Sequence, residues 1–197
     1  MIGVAIIEDH PLSRQGLVRI IDGSIDMELV ATASSVQEFE DAGYERIRVV
    51  LVDFHLPDAE GADAVSRVKA CVEAVLVISA SSDHQSVLDA IGAGANGYLK
   101  KGANSGEIVK AVTAVAQGGA YVSPMLAAHL LRHARETSGQ PGLAVTDRDL
   151  DILSLVAQGE TDASIASQLS VSVDTVRPHL DRIRREAQRR LRTPDIA

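Results

Sequence analysis

The chain has no tryptophan, and aromatic residues make up 3% of its 197 residues. Surfaces that stack sugars or single-stranded nucleic acid depend on such rings, so the composition speaks against both. There is one cysteine, Cys71. A lone thiol closes no internal disulfide, and no cluster with metal-ligand spacing contains it. It reads as a small apolar side chain in a helix. No apolar run approaches the ~20 residues that a bilayer span requires. The first residues, Met1 to Ile7, lack the basic region of a signal peptide and run straight into Glu8-Asp9. No internal repeat or low-complexity tract is evident. These absences lead to the expectation of a soluble cytoplasmic protein with an aliphatic core.

The net charge is −8 and is unevenly spread. Residues 1–140 hold 18 acidic and 11 basic side chains, while 141–197 hold 9 and 8. Within 177–192, seven arginines face only Asp181 and Glu186. The acidic total therefore leaves room for a nucleic-acid partner at the C-terminal end. The length suits one large domain or two small ones.

Short aliphatic runs alternate with helical stripes over the first 118 residues. Strands are expected at 3–7, 28–33, 48–53, 74–78 and 97–100. Helices are expected after Pro11, after Ser35, around 64–72, around 87–91 and around 108–115. Five strands alternating with helices mean right-handed crossovers and a parallel sheet. Beyond Gly119 no further strand is evident. Ser123-Pro124 opens a connecting helix, and Thr137 to Gly142 reads as a linker. Three helical segments follow; Thr146 and Thr161 cap the first two, and a tight turn at Ser170-Val171-Ser172 leads into the third. Two helices joined by a short turn and followed by arginines form a helix-turn-helix pattern.

In an open parallel sheet, functional groups collect beyond the carboxyl ends of the strands. Here those ends carry Glu8-Asp9, Asp53, Ser79, and Tyr98 with Lys101. Three converging carboxylates repel one another unless a cation sits among them. They are hard oxygen ligands and suit Mg²⁺. An aspartate can also attack a phosphoryl group, and Lys101 would supply a second cation on its oxygens. Ser79 can donate to a phosphoryl oxygen.

These residues closely resemble the receiver domain of bacterial two-component response regulators. The match comprises Glu8-Asp9, Asp53 with Pro57 and Gly61, Ser79-Ala80, and Gly92 through Lys101. The separations agree: 44 residues from Asp9 to Asp53, 19 from Ser79 to Tyr98, three from Tyr98 to Lys101. The later segment, from Val145-Thr146-Asp147-Arg148-Asp149 to Ile183, resembles the LuxR-type helix-turn-helix. The whole chain thus looks like a NarL/FixJ-type regulator. The resemblance implies a five-stranded, doubly wound, flavodoxin-like receiver over 1–120, a linker with its helix over 121–141, and an all-α DNA-binding domain over 142–197. It implies Asp53 as phosphoacceptor, with Mg²⁺ on Glu8, Asp9, Asp53 and the backbone carbonyl of His55. Ser79, Ala80, Tyr98 and Lys101 would contact or report the phosphoryl group, Tyr98 by rotating inward. Ser172, Thr175, Val176, Arg177, Pro178, His179, Arg182 and Arg184 would meet DNA. The implied partners are DNA, a sensor histidine kinase and a second copy of the chain; the only enzymatic steps are phosphotransfer and autodephosphorylation.

Four features depart from simple expectation. Gly92-Ala-Gly94-Ala-Asn-Gly97 matches a dinucleotide fingerprint formally but follows a helix and leads into a strand, the reverse of the required context. A haloacid dehalogenase-type phosphatase would carry a second aspartate where His55 stands. Pro178 falls inside the recognition helix, so that helix is expected to start late, near Thr175, or to kink. The absence of a glycine after Arg185 lets the last helix run on to about Leu191. An alternative reading is a receiver switched by ligand or protein binding without phosphate, joined to a weakened DNA-binding domain.

Overall fold

The computed structural model describes residues 1–43, 45–136 and 146–191. The expected linker residues 137–142 lie outside the described residues. The first unit alternates β1 (Ile2–Ile7), α1 (Pro11–Asp22), β2 (Met27–Ala33), α2 (Val36–Ala42), β3 (Val49–Asp53), α3 (Ala62–Cys71), β4 (Val75–Ser79), α4 (His84–Gly92), β5 (Gly97–Lys100) and α5 (Ser105–Ala116). All pairings are parallel and the strand order is β2-β1-β3-β4-β5. The order reverses direction beside β1, the place where doubly wound sheets form their crevice. Asp53 aligns with Ile78, and Ser79 with Lys100, so the polar strand ends reach one edge together.

Every residue of β3 and β4 is buried, because helices cover both faces of the sheet. One layer joins α1 and α5 to Val4, Ile6, Leu51 and Leu76. The other joins α2, α3 and α4 to Ile7, Val50, Val52 and Val77, and it continues into the C-terminal helices. Helix starts are fixed by side chains that accept from otherwise unsatisfied N–H groups: Ser35 from Glu38, Asp83 from Ser86, Asn104 from Glu107. Glu38 turns back to Ser34 N–H and Oγ, one residue before the capping serine. Gly97 is required by close packing, since an added Cβ would sit 2.7 Å from the Tyr121 carbonyl oxygen.

The remaining described helices are α6 (Pro124–Glu136), α7 (Asp147–Ala157), α8 (Asp162–Gln168) and α9 (Val173–Leu191). Helix α6 packs on both α4 and α7, so it joins the two units. Helix α9 runs on to Leu191 as expected, but the expected late start is overturned. The helix begins at Val173, and Thr175 N–H donates to the Ser172 carbonyl at 3.0 Å. Pro178 lies inside it and removes the donor that the Asp174 carbonyl would otherwise take. Both residues are exposed, so water can satisfy that carbonyl. Buried Val176 and Leu180 hold the flanking turns in place.

Candidate functional site

Two strand ends deliver the carboxylates: Glu8 and Asp9 follow β1, and Asp53 ends β3. Glu8 is 1% exposed and Asp53 3% exposed, so neither can stay charged without a partner. That partner is Lys101, which follows β5. Its Nζ lies 2.7 Å from Asp53 Oδ2 and 2.9 and 2.8 Å from the two Glu8 oxygens. Burial alone would lower the Lys101 pKa, but hydrogen bonds to Asp53 and Glu8 outweigh it and hold the ammonium above its ordinary value. Backbone N–H groups complete the cradle: His55 donates to Asp53 Oδ1 at 3.3 Å, and His10 to Glu8 Oε1 at 3.0 Å. Arg14 fixes the loop through the Glu8 carbonyl at 2.6 Å.

Glu8, Asp9, His10 and Asp53 offer ligand atoms within 4.8 Å of one another. Glu8 Oε2 and Asp9 Oδ1 are buried and lack a well-directed hydrogen-bond donor, although Lys101 and His10 lie close to them. An all-oxygen set with two under-satisfied carboxylate oxygens fits a hard divalent cation. The His55 side chain points outward and is exposed.

Ser79 is fully buried, and its Oγ accepts from Ser81 N–H at 3.1 Å; Ala80 is exposed beside it. Tyr98 is also fully buried, and its hydroxyl donates to the Ser81 carbonyl at 3.0 Å. Burial raises its pKa, partly offset by a hydrogen bond with Ser79. Tyr98 thus faces inward in this arrangement. Its ring sits edge-on against Phe54, with centroids 6.0 Å apart, and fills the space beneath the loop after β4. The Tyr98 carbonyl accepts from Ser123 Oγ at 3.1 Å, and Ser123 Oγ in turn accepts from Leu126 N–H at 3.2 Å to start α6. A continuous path thus leads from beside Asp53 to the helix that joins the units.

The expected DNA contacts divide into three groups. Ser172, Thr175, Arg177 and Pro178 are exposed on the first turns of α9. Ser172 Oγ and Thr175 Oγ1 share a hydrogen bond at 2.7 Å, and Arg177 Nε lies 3.5 Å from Asp162. His179 and Arg182 are held by Asp149, a fully buried carboxylate of α7; the His179 contact is 2.8 Å. Val176 is corrected outright: it is 0% exposed, because the inner face of α9 needs it against α7 and α8. Arg184 is 8% exposed and donates to Gln188 at 3.0 Å. Burial lowers its pKa. It is not available to a ligand in this arrangement.

The burial of Arg184 reflects a contact that sequence reasoning missed. Helix α9 packs on α4 of the first unit. Gln188 Nε2 donates to the Ala95 carbonyl at 2.7 Å, and Asp181 Oδ1 accepts from Ala120 N–H at 2.5 Å. From the sequence, Asp181 is a charge beside the groove-reading face. In the structure it satisfies a backbone donor of the other unit.

An acidic strand-end edge of the receiver type joined to a helix-turn-helix defines a class of signal-controlled DNA-binding proteins. Comparison with known proteins agrees. The response regulator receiver domain model matches residues 4–113, and the bacterial regulatory protein, LuxR family model matches 144–192. The transcriptional regulatory protein LiaR of Bacillus subtilis is 30% identical over 191 residues, covering 93% of this chain and 89% of LiaR. The nitrate/nitrite response regulator NarL of Escherichia coli is 31% identical over 184 residues, covering 90% and 85%. The crystal structure of ChrA, a response regulator of a heme-sensing two-component system, has a TM-score of 0.57 at 30% identity, over 96% of this chain and 98% of that one. The chain belongs to the NarL/FixJ-type two-component response regulators, transcription regulators with a receiver domain and a LuxR-type DNA-binding domain. Among the described residues no helix is long and apolar enough to cross a membrane.

Proposed function

We propose that Asp53 accepts a phosphoryl group from a sensor histidine kinase in the cytoplasm, and that this controls access of α9 to promoter DNA. The observation that carries the reading is the Lys101 ammonium bridging buried Glu8 and Asp53 at 2.7–2.9 Å. An Asp53 oxygen attacks phosphorus, the O–P bond forms as the N–P bond to the kinase histidine breaks, and that nitrogen leaves with the electron pair. Lys101 turns from Asp53 toward the incoming oxygens, where its charge offsets the one arriving. Glu8, Asp9, Asp53 and the His55 carbonyl would hold Mg²⁺, which screens the phosphoryl oxygens when bound. The Ala80 N–H and Ser79 hydroxyl are the remaining donors near that position. Attack by water on the same phosphorus reverses the state.

The readout runs through Ser79. Drawing its hydroxyl toward a phosphoryl oxygen breaks its bond with Ser81 N–H. The Ser81 carbonyl also holds Tyr98, and the Tyr98 carbonyl holds the Ser123 cap of α6. The phosphoryl group makes these contacts in one state only, so it shifts the population away from the docked arrangement of α9. Ser172, Thr175, Arg177 and Pro178 then lead into the major groove, with His179, Arg182 and Arg184 toward the backbone once α9 is free. Two copies on two half-sites would complete the reader.

Incubation of the full chain with a small phosphodonor and Mg²⁺, followed by mass spectrometry, tests the reading. The wild type is expected to gain one phosphoryl group and Asp53→Asn none. The buried Tyr98 favours a second reading, a receiver already set for a protein partner without phosphate; an unmodified wild type in that experiment supports it instead.

The docked arrangement makes a separate prediction. Asp181→Ala combined with Gln188→Ala removes both hydrogen bonds between α9 and the receiver. At about 1 kcal/mol net for each bond, roughly 2 kcal/mol for the pair, the unphosphorylated double variant should bind a DNA site selected with phosphorylated wild type up to about 30-fold more tightly. Fluorescence anisotropy checks this, and unchanged affinity would show that the docking does not restrain α9.

A further inference from the structure

The loop that follows Asp53 is tied to a helix it does not lead into. Residues 54–61 turn back on themselves: Gly61 N–H donates to the Phe54 carbonyl at 2.7 Å, and Leu56 N–H to the Ala59 carbonyl at 3.2 Å. His55 and Glu60 pair across the turn in antiparallel fashion. Leu56 and Ala59 are buried, while Pro57 and Asp58 form the exposed tip. From that tip the Asp58 carboxylate reaches the first turn of α2. Its Oδ2 accepts from Gln37 N–H at 2.8 Å and its Oδ1 from Val36 N–H at 3.1 Å.

The helix already has a cap of its own, since Ser35 Oγ accepts from Glu38 N–H at 3.1 Å. Asp58 adds a second one from a separate segment, placed where the aligned peptide dipoles favour negative charge. Burial would raise the Asp58 pKa, but hydrogen bonds from the Gln37, Val36 and Asp58 backbones, with the charge of Arg67, hold the carboxyl below its ordinary value. Arg67 of α3 stands 3.9 Å from Asp58 and donates to Glu40 of α2 at 3.0 Å. The tip is thus held between α2 and α3. What it holds in turn is His55, whose N–H donates to Asp53 Oδ1 and whose carbonyl would complete the Mg²⁺ ligands. Neither group can be re-aimed by a side-chain rotation. Their direction depends on where the loop is anchored.

We propose that Asp58 is a positioning residue for the phosphoacceptor edge: by pinning the loop tip to the start of α2, it aims the His55 carbonyl at the Mg²⁺ position and the His55 N–H at Asp53. The inference rests on the phosphotransfer reading, which supplies the Mg²⁺ ligands. Mg²⁺ demands near-ideal octahedral geometry, so a carbonyl that wanders costs affinity even though Asp58 itself touches no ion.

The test titrates Mg²⁺ calorimetrically into chelator-stripped full-length protein and follows hydrogen exchange of the His55 amide in the same metal-free samples. The wild type is expected to bind Mg²⁺. Asp58→Ala should bind it about tenfold more weakly, the lower end of the cost of losing an outer contact of a metal site. Its His55 amide should exchange faster before any metal is added. The Mg²⁺ concentration for half-maximal phosphoryl uptake should rise by the same factor, with the rate at saturating Mg²⁺ little changed. Asp58→Asn keeps one acceptor oxygen and should move each readout less, in the same direction, so it carries the test if the alanine variant misfolds. Ser35→Ala weakens the same helix start without touching the loop and should keep wild-type Mg²⁺ affinity. A wild type that binds no Mg²⁺ overturns the phosphotransfer reading and this one with it. Wild-type affinity in the Asp58 variants, or an equal loss in Ser35→Ala, overturns this one alone; packing of Leu56 and Ala59, or α2 as a whole, then holds the loop.

Discussion

Replacing Lys101 by methionine is expected to cost about 3 kcal/mol of stability in the presence of chelator, because it leaves Glu8 and Asp53 buried without a counter-charge. Methionine keeps most of the stem volume, so the loss is electrostatic. Excess Mg²⁺ should restore a large part of it, since a divalent ion among Glu8, Asp9 and Asp53 replaces the missing positive charge. Mg²⁺ should therefore stabilise Lys101→Met more than it stabilises the wild type. Phosphoryl uptake from a small donor should slow by about 10²-fold, the usual cost of removing one charge-stabilising donor. The folded Lys101 pKa is raised, so its contribution is complete below the unfolded value of roughly 10.4 and fades only as pH rises through the folded value. Urea unfolding with and without Mg²⁺, at neutral pH, measures the first effect. An identical loss in both conditions would remove Lys101 and the carboxylates from a shared site.

The ease with which this edge is read from sequence has a physical origin. A strand buried on both faces has only aliphatic residues until it ends, so Asp53 after Val49-Val50-Leu51-Val52 announces both the strand and its terminus. Glu8 and Ser79 end their strands in the same way. Parallel pairing then leaves no choice about which edge they share. Capping residues are equally local, and Thr146 and Thr161 act where the pattern puts them. The prediction failed at Pro178, because the cost of a proline depends on whether its orphaned carbonyl can reach water. That is a property of the tertiary surface.

Orientation and docking were also beyond the sequence. An aromatic ring at 98 could lie in or out; packing edge-on against Phe54 and the hydrogen bond to Ser81 hold it in. Val176 lies in a stretch rich in groove-facing residues, and only the packing of α9 against α7 and α8 assigns it to the core. Asp181 and Gln188 gain their roles from Ala120 and Ala95, residues far away in the chain. No periodicity encodes such a meeting.

Asp149 is expected to matter as much to the DNA-reading unit as Lys101 does to the receiver. It completes the capping box of α7 with Thr146, and its oxygens also hold His179 and Arg182 of α9. One buried side chain thus starts one helix and anchors another. Burial would raise its pKa, yet hydrogen bonds from His179, from the Thr146 backbone and hydroxyl, and from Arg182 prevail and hold it below the ordinary aspartate value. Asp149→Ala leaves the Thr146 cap but removes the reciprocal half of the capping box, worth about 1 kcal/mol, and charge-assisted bonds worth about 1.5–3 kcal/mol each. Arg182 is 41% exposed and recovers part of its hydration, so the net loss should be about 3 kcal/mol. Asp149→Asn keeps a cap acceptor and should lose roughly half as much. A depressed carboxylate stabilises above its unfolded pKa of about 3.9 and loses that contribution as pH falls through the folded value. The gap between wild type and Asp149→Ala should therefore be flat from neutral pH down to about pH 4 and close below it. Hydrogen exchange of the α7 and α9 amides in the full chain reads this locally, without confusion from the receiver. Exchange in α9 as slow in Asp149→Ala as in wild type would mean that apolar packing through Val176, Leu180 and Ile183 positions the helix by itself.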